Sequence, residues 1–135
     1  MYLGPRTGFF TGAMTGLVSN FLFGQGPWTP FQMLTWGLIG LLSGFLQGPL
    51  QKSRILLFVH GGICGILFSL LMDLWSMVWL AGGASFGAWL TLIVAALPMT
   101  VTYAVSNIVF LALLAGPIGK KLDRMRLHYG FFSTE

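Results

Sequence analysis

Amides, hydroxyls and an indole are concentrated in one uncharged connection between two apolar stretches of the chain. Residues 19–32 read SNFLFGQGPWTPFQ, and the prolines at positions 27 and 30 stiffen this backbone. A connection that only had to be hydrated would more simply be built from Asp, Ser and Lys. Hydrogen-bonding groups and a flat ring on a stiff backbone instead predict a cap that faces a ligand.

Further polar and aromatic residues are predicted to reach the level of this cap. Gln32 and Trp36 lie four positions apart, on one helix face next to the connection, although Trp36 also fits an ordinary aromatic residue at a membrane interface. Asp73 lies roughly 18 residues into its apolar stretch, about 27 Å along a helix, and so near the same interface. Apolar walls with a few placed polar groups are typical of a small-molecule pocket. The predicted binding residues are Asn20, Gln25, Trp28, Thr29, Gln32, Trp36, Asp73, Trp75, Tyr103 and Asn107.

Catalytic and metal chemistry have much weaker support in the sequence. His60 and Cys64 are one helical turn apart, but two ligands do not make a metal site, and a histidine hydrogen-bonded within the helices is the better interpretation. The serines have no G-x-S-x-G context, and His60 is their one plausible base. No G-x-x-x-x-G-K loop occurs, so energy from ATP would have to come from another subunit. We therefore predict a protein that is not an enzyme and needs no cofactor.

The composition is that of an integral membrane protein. Of the 135 residues, 56% are hydrophobic and 7% are charged, and the mean hydropathy is +0.83, whereas soluble domains carry about 25% charged residues. The net charge of +4 lies in short stretches between apolar runs and in the tail, which indicates membrane topology and not nucleic-acid binding. The single Cys64 excludes a disulfide framework.

The predicted fold is an all-α membrane domain with four spans, at about residues 6–23, 30–47, 55–76 and 99–116. Glycines recur every four residues along the first two spans, which predicts close helix packing. By the positive-inside rule the basic loop 48–54 and the tail 117–135 are cytoplasmic, and residues 24–29 and 74–97 are external. The basic tail is expected to contact lipid head groups.

Residues 74–97 can be folded in two ways. If the stretch from Ala84 to Leu97 were a span, the basic tail would lie outside, against the charge rule. One helix through this stretch and the next would be about 50 Å long, more than a bilayer requires. We therefore expect a long external segment, partly helical and partly embedded, followed by a separate fourth span.

The sequence resembles a known family over much of its length. The runs LGPRTGFFTGA at 3–13, LVSNFLFGQGPWTPFQM at 17–33 and WGLIG at 36–40 closely resemble the substrate-binding S components of energy-coupling factor (ECF) vitamin transporters. The match is specific over residues 4–48 and looser over residues 55–121. Thr100 and Tyr103 stand at positions where the resemblance suggests Asp and His.

This resemblance implies a six-helix bundle whose external loops close over a bound micronutrient. It also implies a transmembrane coupling protein and two ATP-binding cassette ATPases as partners, and a multi-pass position in a prokaryotic plasma membrane with both termini cytoplasmic. The chain would supply helices three to six, as a truncated product, a product of a start assigned at an internal Met, or half of a split protein. Among the vitamin-specific branches of the family, the loop most resembles the branch associated with cobalamin or related corrinoids.

Other hypotheses stay open at the level of sequence beside the importer subunit. The second is a membrane structural or assembly protein without a ligand, or a non-functional fragment. The third is a membrane enzyme that uses His60.

Overall fold

All regular secondary structure in the described part of the chain is α-helical. A computed structural model describes residues 4–80, 82–83 and 85–129, and these residues contain no strand. The helices are α1 (Gly4–Phe23), α2 (Thr29–Phe45), the short α3 (Gln47–Lys52), α4 (Arg54–Leu80) and α5 (Phe86–Tyr129). The predicted all-α fold is confirmed. Most of the predicted basic loop 48–54 is the short helix α3.

Helices α1 and α2 form a tightly packed antiparallel hairpin. A Cβ atom added to Gly8 would collide with the carbonyl of Gly40, and one added to Gly12 would collide with the carbonyl of Trp36. The two backbones are therefore in direct contact, as expected where small residues let helices approach in a membrane. Gly24 ends α1 with a φ of 112°, a conformation that favours glycine. The predicted close packing is confirmed.

Helices α4 and α5 form a second antiparallel hairpin. A Cβ added to Gly65 would lie 2.7 Å from the backbone nitrogen of Ala104. The hydroxyls of Ser69 and Thr100 are 2.6 Å apart one turn further along. This hairpin meets the first one mainly through α2 and α4, so the molecule consists of two helix pairs joined along one seam.

The structure differs from the sequence prediction between residues 74 and 97. Helix α4 continues to Leu80, and α5 runs without a break through Pro98 and Pro117, about 66 Å at 1.5 Å per residue. The separation expected between an external segment and a span at 99–116 is therefore not observed. Helix length is not limited to the bilayer thickness, because a helix can continue beyond the hydrocarbon. Near Pro98 the hydroxyls of Thr100 and Thr102 donate to the carbonyls of Ala96 and Pro98.

Two of the described helices are long and apolar enough to cross a membrane, Arg54–Trp79 and Phe86–Met125. The four predicted spans, and the side of the membrane on which each end lies, stay predictions. Helix α5 reaches Tyr129, so the basic tail is helical as far as this residue. The polar terminus at 130–135 lies outside the described residues.

Candidate functional site

The turn between α1 and α2 is organised by a buried hydrogen-bond network. Asn20 on α1 and Thr29 on α2 are 5% and 7% exposed. The Nδ2 group of Asn20 donates to Gln32 Oε1 at 2.7 Å and to Thr29 Oγ1 at 3.2 Å. The Thr29 hydroxyl donates to Gln25 Oε1 at 3.0 Å and accepts from the backbone N–H of Gly26 at 3.3 Å. Four of the predicted residues are thus in one network.

Trp28 covers the tip of this turn. Its ring lies directly against Gly26, where an added Cβ would collide with three ring carbons. The side chain remains 41% exposed, so one face of the indole is open to a ligand or to lipid. The turn therefore presents an aromatic surface on a backbone that its own network fixes.

A row of stacked rings lies between α2 and α4 near the same end. Phe31 and Trp75 have ring centroids 5.4 Å apart with planes 23° from parallel, and Trp75 and Trp79 are 5.2 Å apart at 18°. Trp79, at the end of the row, is 58% exposed. The sequence prediction included Trp75 but missed Phe31, although its position in the first turn of α2, one residue before Gln32, was a usable signal.

A second aromatic row lies deeper. The Trp36 ring packs on Phe68 with centroids 5.2 Å apart, and Phe68 meets Tyr103 edge-on at 5.3 Å. The Nε1 atom of Trp36 is buried and has no hydrogen-bond partner among the described residues. Trp36 is half-buried between the helices, and its alternative role as an interfacial aromatic stays a prediction. The row forms an aromatic floor one to two turns below the amide network.

Asp73 lies near the level of the network, but on the face of α4 that meets α5 and not on the face that meets α2. Phe31 stacks on Trp75 and Ser43 bonds to His60, so α2 and α4 run antiparallel with Gln32 near the level of Asp73. Asp73 continues the stripe of Gly61, Gly65 and Ser69, whose first three members face α5, whereas Trp75 faces α2. The Oδ2 atom of Asp73 is buried without a partner among the described residues.

Asn107 and the family-divergent positions serve the α4–α5 contact. The Nδ2 group of Asn107 donates to the backbone oxygen of Gly61 at 3.1 Å, about 18 Å along α4 from Asp73. The structure therefore does not bring Asn107 to the other predicted residues. Thr100 bonds to Ser69, and Tyr103 contributes its ring to the deeper aromatic row.

His60 and Cys64 take part in an internal hydrogen-bond group. His60 Nε2 lies 2.8 Å from the Ser43 hydroxyl and 3.3 Å from Cys64 Sγ. This confirms the prediction of a histidine hydrogen-bonded within the helices. Among the residues that the structure describes, no three His, Cys, Asp or Glu side chains are grouped to hold a metal ion.

The fold and the site define an all-helical protein with membrane-type helices, whose hydrogen-bonding groups and open ring faces gather at one end and suit ligand binding. A family model described as "ECF-type riboflavin transporter, S component" matches residues 1–124. The chain belongs to this family, as the sequence runs at its start predicted. It is therefore a membrane transporter component and not an enzyme. The matched model is of the riboflavin type, and nothing found supports the suggested cobalamin branch. Comparisons with curated proteins and with solved structures gave no match.

Proposed function

We propose that the chain is the substrate-capturing membrane subunit of an ECF-type importer, and that it takes up a flat heteroaromatic micronutrient of the riboflavin kind. The observation that carries this proposal is the family match over residues 1–124. The substrate is captured at the end of the helices formed by the α1–α2 turn and the last turns of α4. Uptake is driven by ATP hydrolysis in partner subunits.

The geometry of this end supports a flat ligand. The exposed faces of Trp28 and Trp79 offer platforms on which a ring system can stack, and offset aromatic pairs contribute about 0.5–1.5 kcal/mol beyond the area they bury. The amide groups of Gln25 and Gln32 belong to the network at the same end and carry donors and acceptors for ring carbonyls and nitrogens. Rings supply the affinity in this arrangement, and the amides supply orientation.

The partners follow from the family and from what the chain lacks. Its sequence has no phosphate-binding loop, so a transmembrane coupling protein and two ATP-binding cassette ATPases supply the energy. In the bundle of this importer class, α1, α2, α4 and α5 correspond to helices three to six as four spans. Arg6, Lys52 and Lys120 lie at the opposite end from the α1–α2 turn, which supports a cytoplasmic position for that end and for both termini.

Titration of the purified protein in detergent with riboflavin tests the substrate. Stacking on tryptophan quenches flavin fluorescence, so binding is read directly from the ligand. Trp79→Leu removes one platform and is expected to weaken binding several-fold. Phe86→Leu is the matched control, because Phe86 is also an exposed ring at that end of the α4–α5 pair and contacts Trp89 instead.

Three results would contradict this assignment. They are no quenching by riboflavin, equal effects of Trp79→Leu and Phe86→Leu, and retention of cobalamin in place of riboflavin. The last result would restore the cobalamin branch. The absence of any bound micronutrient would favour a structural role for the chain.

A further inference from the structure

A groove lies along the α1–α2 hairpin, toward the end opposite the α1–α2 turn. It has a volume of about 400 Å³ and lies along the seam of α1 and α2, where the last part of α5 also reaches it. Its lining includes Thr7, Thr11 and Thr15 on α1, Trp36 and Ser43 on α2, and Leu122 on α5. From Thr7 to Thr15 it follows about 12 Å of α1. The groove is mostly apolar and is open along one side.

Four hydroxyl groups line the groove, and they differ in the hydrogen bonds that they make within the described residues. Thr15 donates to the carbonyl of Thr11, and Ser43 donates to that of Ile39. Neither Thr7 nor Thr11 makes a side-chain hydrogen bond to any residue that the structure describes. Facing hydrocarbon, each hydroxyl would lose the bonds that water provides, so an occupant that offers acceptor oxygens is favoured there.

The same end of the groove is basic. Arg6 precedes Thr7, and Lys121 precedes Leu122; both basic side chains are exposed. Lys120 and Arg124 lie within one turn of Leu122, and Asp123 is the one acidic residue near them in the described chain. Near a membrane each such cation gains about 1 kcal/mol from anionic head groups. The charge therefore favours a negatively charged partner at the Thr7 end of the groove.

We infer that this groove binds one anionic phospholipid. Its acyl chain lies along the apolar floor toward Trp36 and Ile39. Its ester and phosphate oxygens accept hydrogen bonds from Thr7 and Thr11, and its charge is balanced by Arg6 and Lys121. The groove is apolar, it has hydroxyl donors in its first half that bond to no other described side chain or carbonyl, and cations lie at its Thr7 end, an order that matches the parts of such a lipid. This inference does not rest on the identity of the transported substrate.

Native mass spectrometry of the full chain, after equilibration with phosphatidylglycerol or phosphatidylcholine in detergent, tests the inference. One phosphatidylglycerol per chain is expected, with a preference over phosphatidylcholine of about tenfold or more. Thr15→Phe fills the groove and should abolish retention. The matched control is Thr102→Phe, because Thr102 is also exposed and also donates to the carbonyl four residues earlier, but on α5.

A second pair of variants separates head-group recognition from groove filling. Thr11→Val keeps the shape of the side chain and should reduce phosphatidylglycerol retention by about fivefold, through the loss of one hydrogen bond. Thr102→Val should change nothing. Equal retention of the two lipids, or equal effects of Thr15→Phe and Thr102→Phe, would overturn the inference. A lipid-free dimer as the dominant mass would also overturn it, because a second copy would then cover the groove.

Discussion

Replacing Asn20 by leucine is the sharpest perturbation of the proposed capture site. Its Nδ2 group makes two hydrogen bonds, to Gln32 Oε1 at 2.7 Å and to Thr29 Oγ1 at 3.2 Å, and the side chain is 5% exposed. Each bond contributes about 0.5–1.5 kcal/mol, so their loss costs about 2 kcal/mol. The turn that holds Gln25 and Trp28 then loses its fixed position. If that position is what the ligand selects, riboflavin affinity falls about thirtyfold.

Asn107→Leu is the matched control for this experiment. Asn107 also donates from a half-buried amide, to the backbone oxygen of Gly61 at 3.1 Å, but it lies in the α4–α5 contact far from the turn. Both variants should lower the thermal midpoint, whereas only Asn20→Leu should change the dissociation constant by more than about threefold. Flavin fluorescence titration and a melting curve on each variant measure the two quantities. Equal losses of affinity would refute the argument, because the network would then act on stability alone.

Three further predictions follow from the packing. Gly12→Ala should separate α1 from α2 and lower the melting temperature by several degrees, whereas Gly48→Ala, where nothing lies within 4 Å of the new Cβ, should leave it unchanged. Gly26→Ala should displace the ring of Trp28, and near-ultraviolet circular dichroism and riboflavin titration should both report the change. Asp73→Asn should leave riboflavin affinity within about twofold if Asp73 faces α5 and not the ligand, and a loss of tenfold or more would place it in the site.

The local features of this chain were predictable because they arise from spacing and from residue type. Glycines every four residues can form a flat helix face whatever the rest of the fold, and Gly8 and Gly12 do so against α2. The grouping of Asn20, Thr29 and Gln32 followed from a short connection that forces both helix ends together. Polar side chains near such a turn have few partners other than one another.

Features that depend on helix rotation or on helix continuity were not predictable. Asn107 was expected at the outer level because a separate helix was expected to begin near Met99, whereas the observed helix begins at Phe86 and places this residue opposite Gly61. Asp73 was expected at the same outer level as Asn20, and its place in the binding site stays a prediction. Level follows from counting residues, but the direction of a side chain depends on which neighbour each helix meets, and this follows from packing of the whole chain.

The seam between the two hairpins links ligand capture to helix packing. From one end to the other it includes Phe31 on Trp75, Trp36 on Phe68, and the hydrogen bond between Ser43 and His60. The backbones of α1 and α2 are in direct contact, whereas α2 and α4 meet through these side-chain contacts, so we expect adjustment to a ligand to occur at this seam. A ligand stacked on Trp79 extends the ring row that holds the hairpins together. Ligand binding should therefore raise the melting temperature, and the rise should grow with ligand concentration, as linkage requires. The rise should be smaller in Phe31→Leu, because this variant loses the ring of α2 that stacks on Trp75.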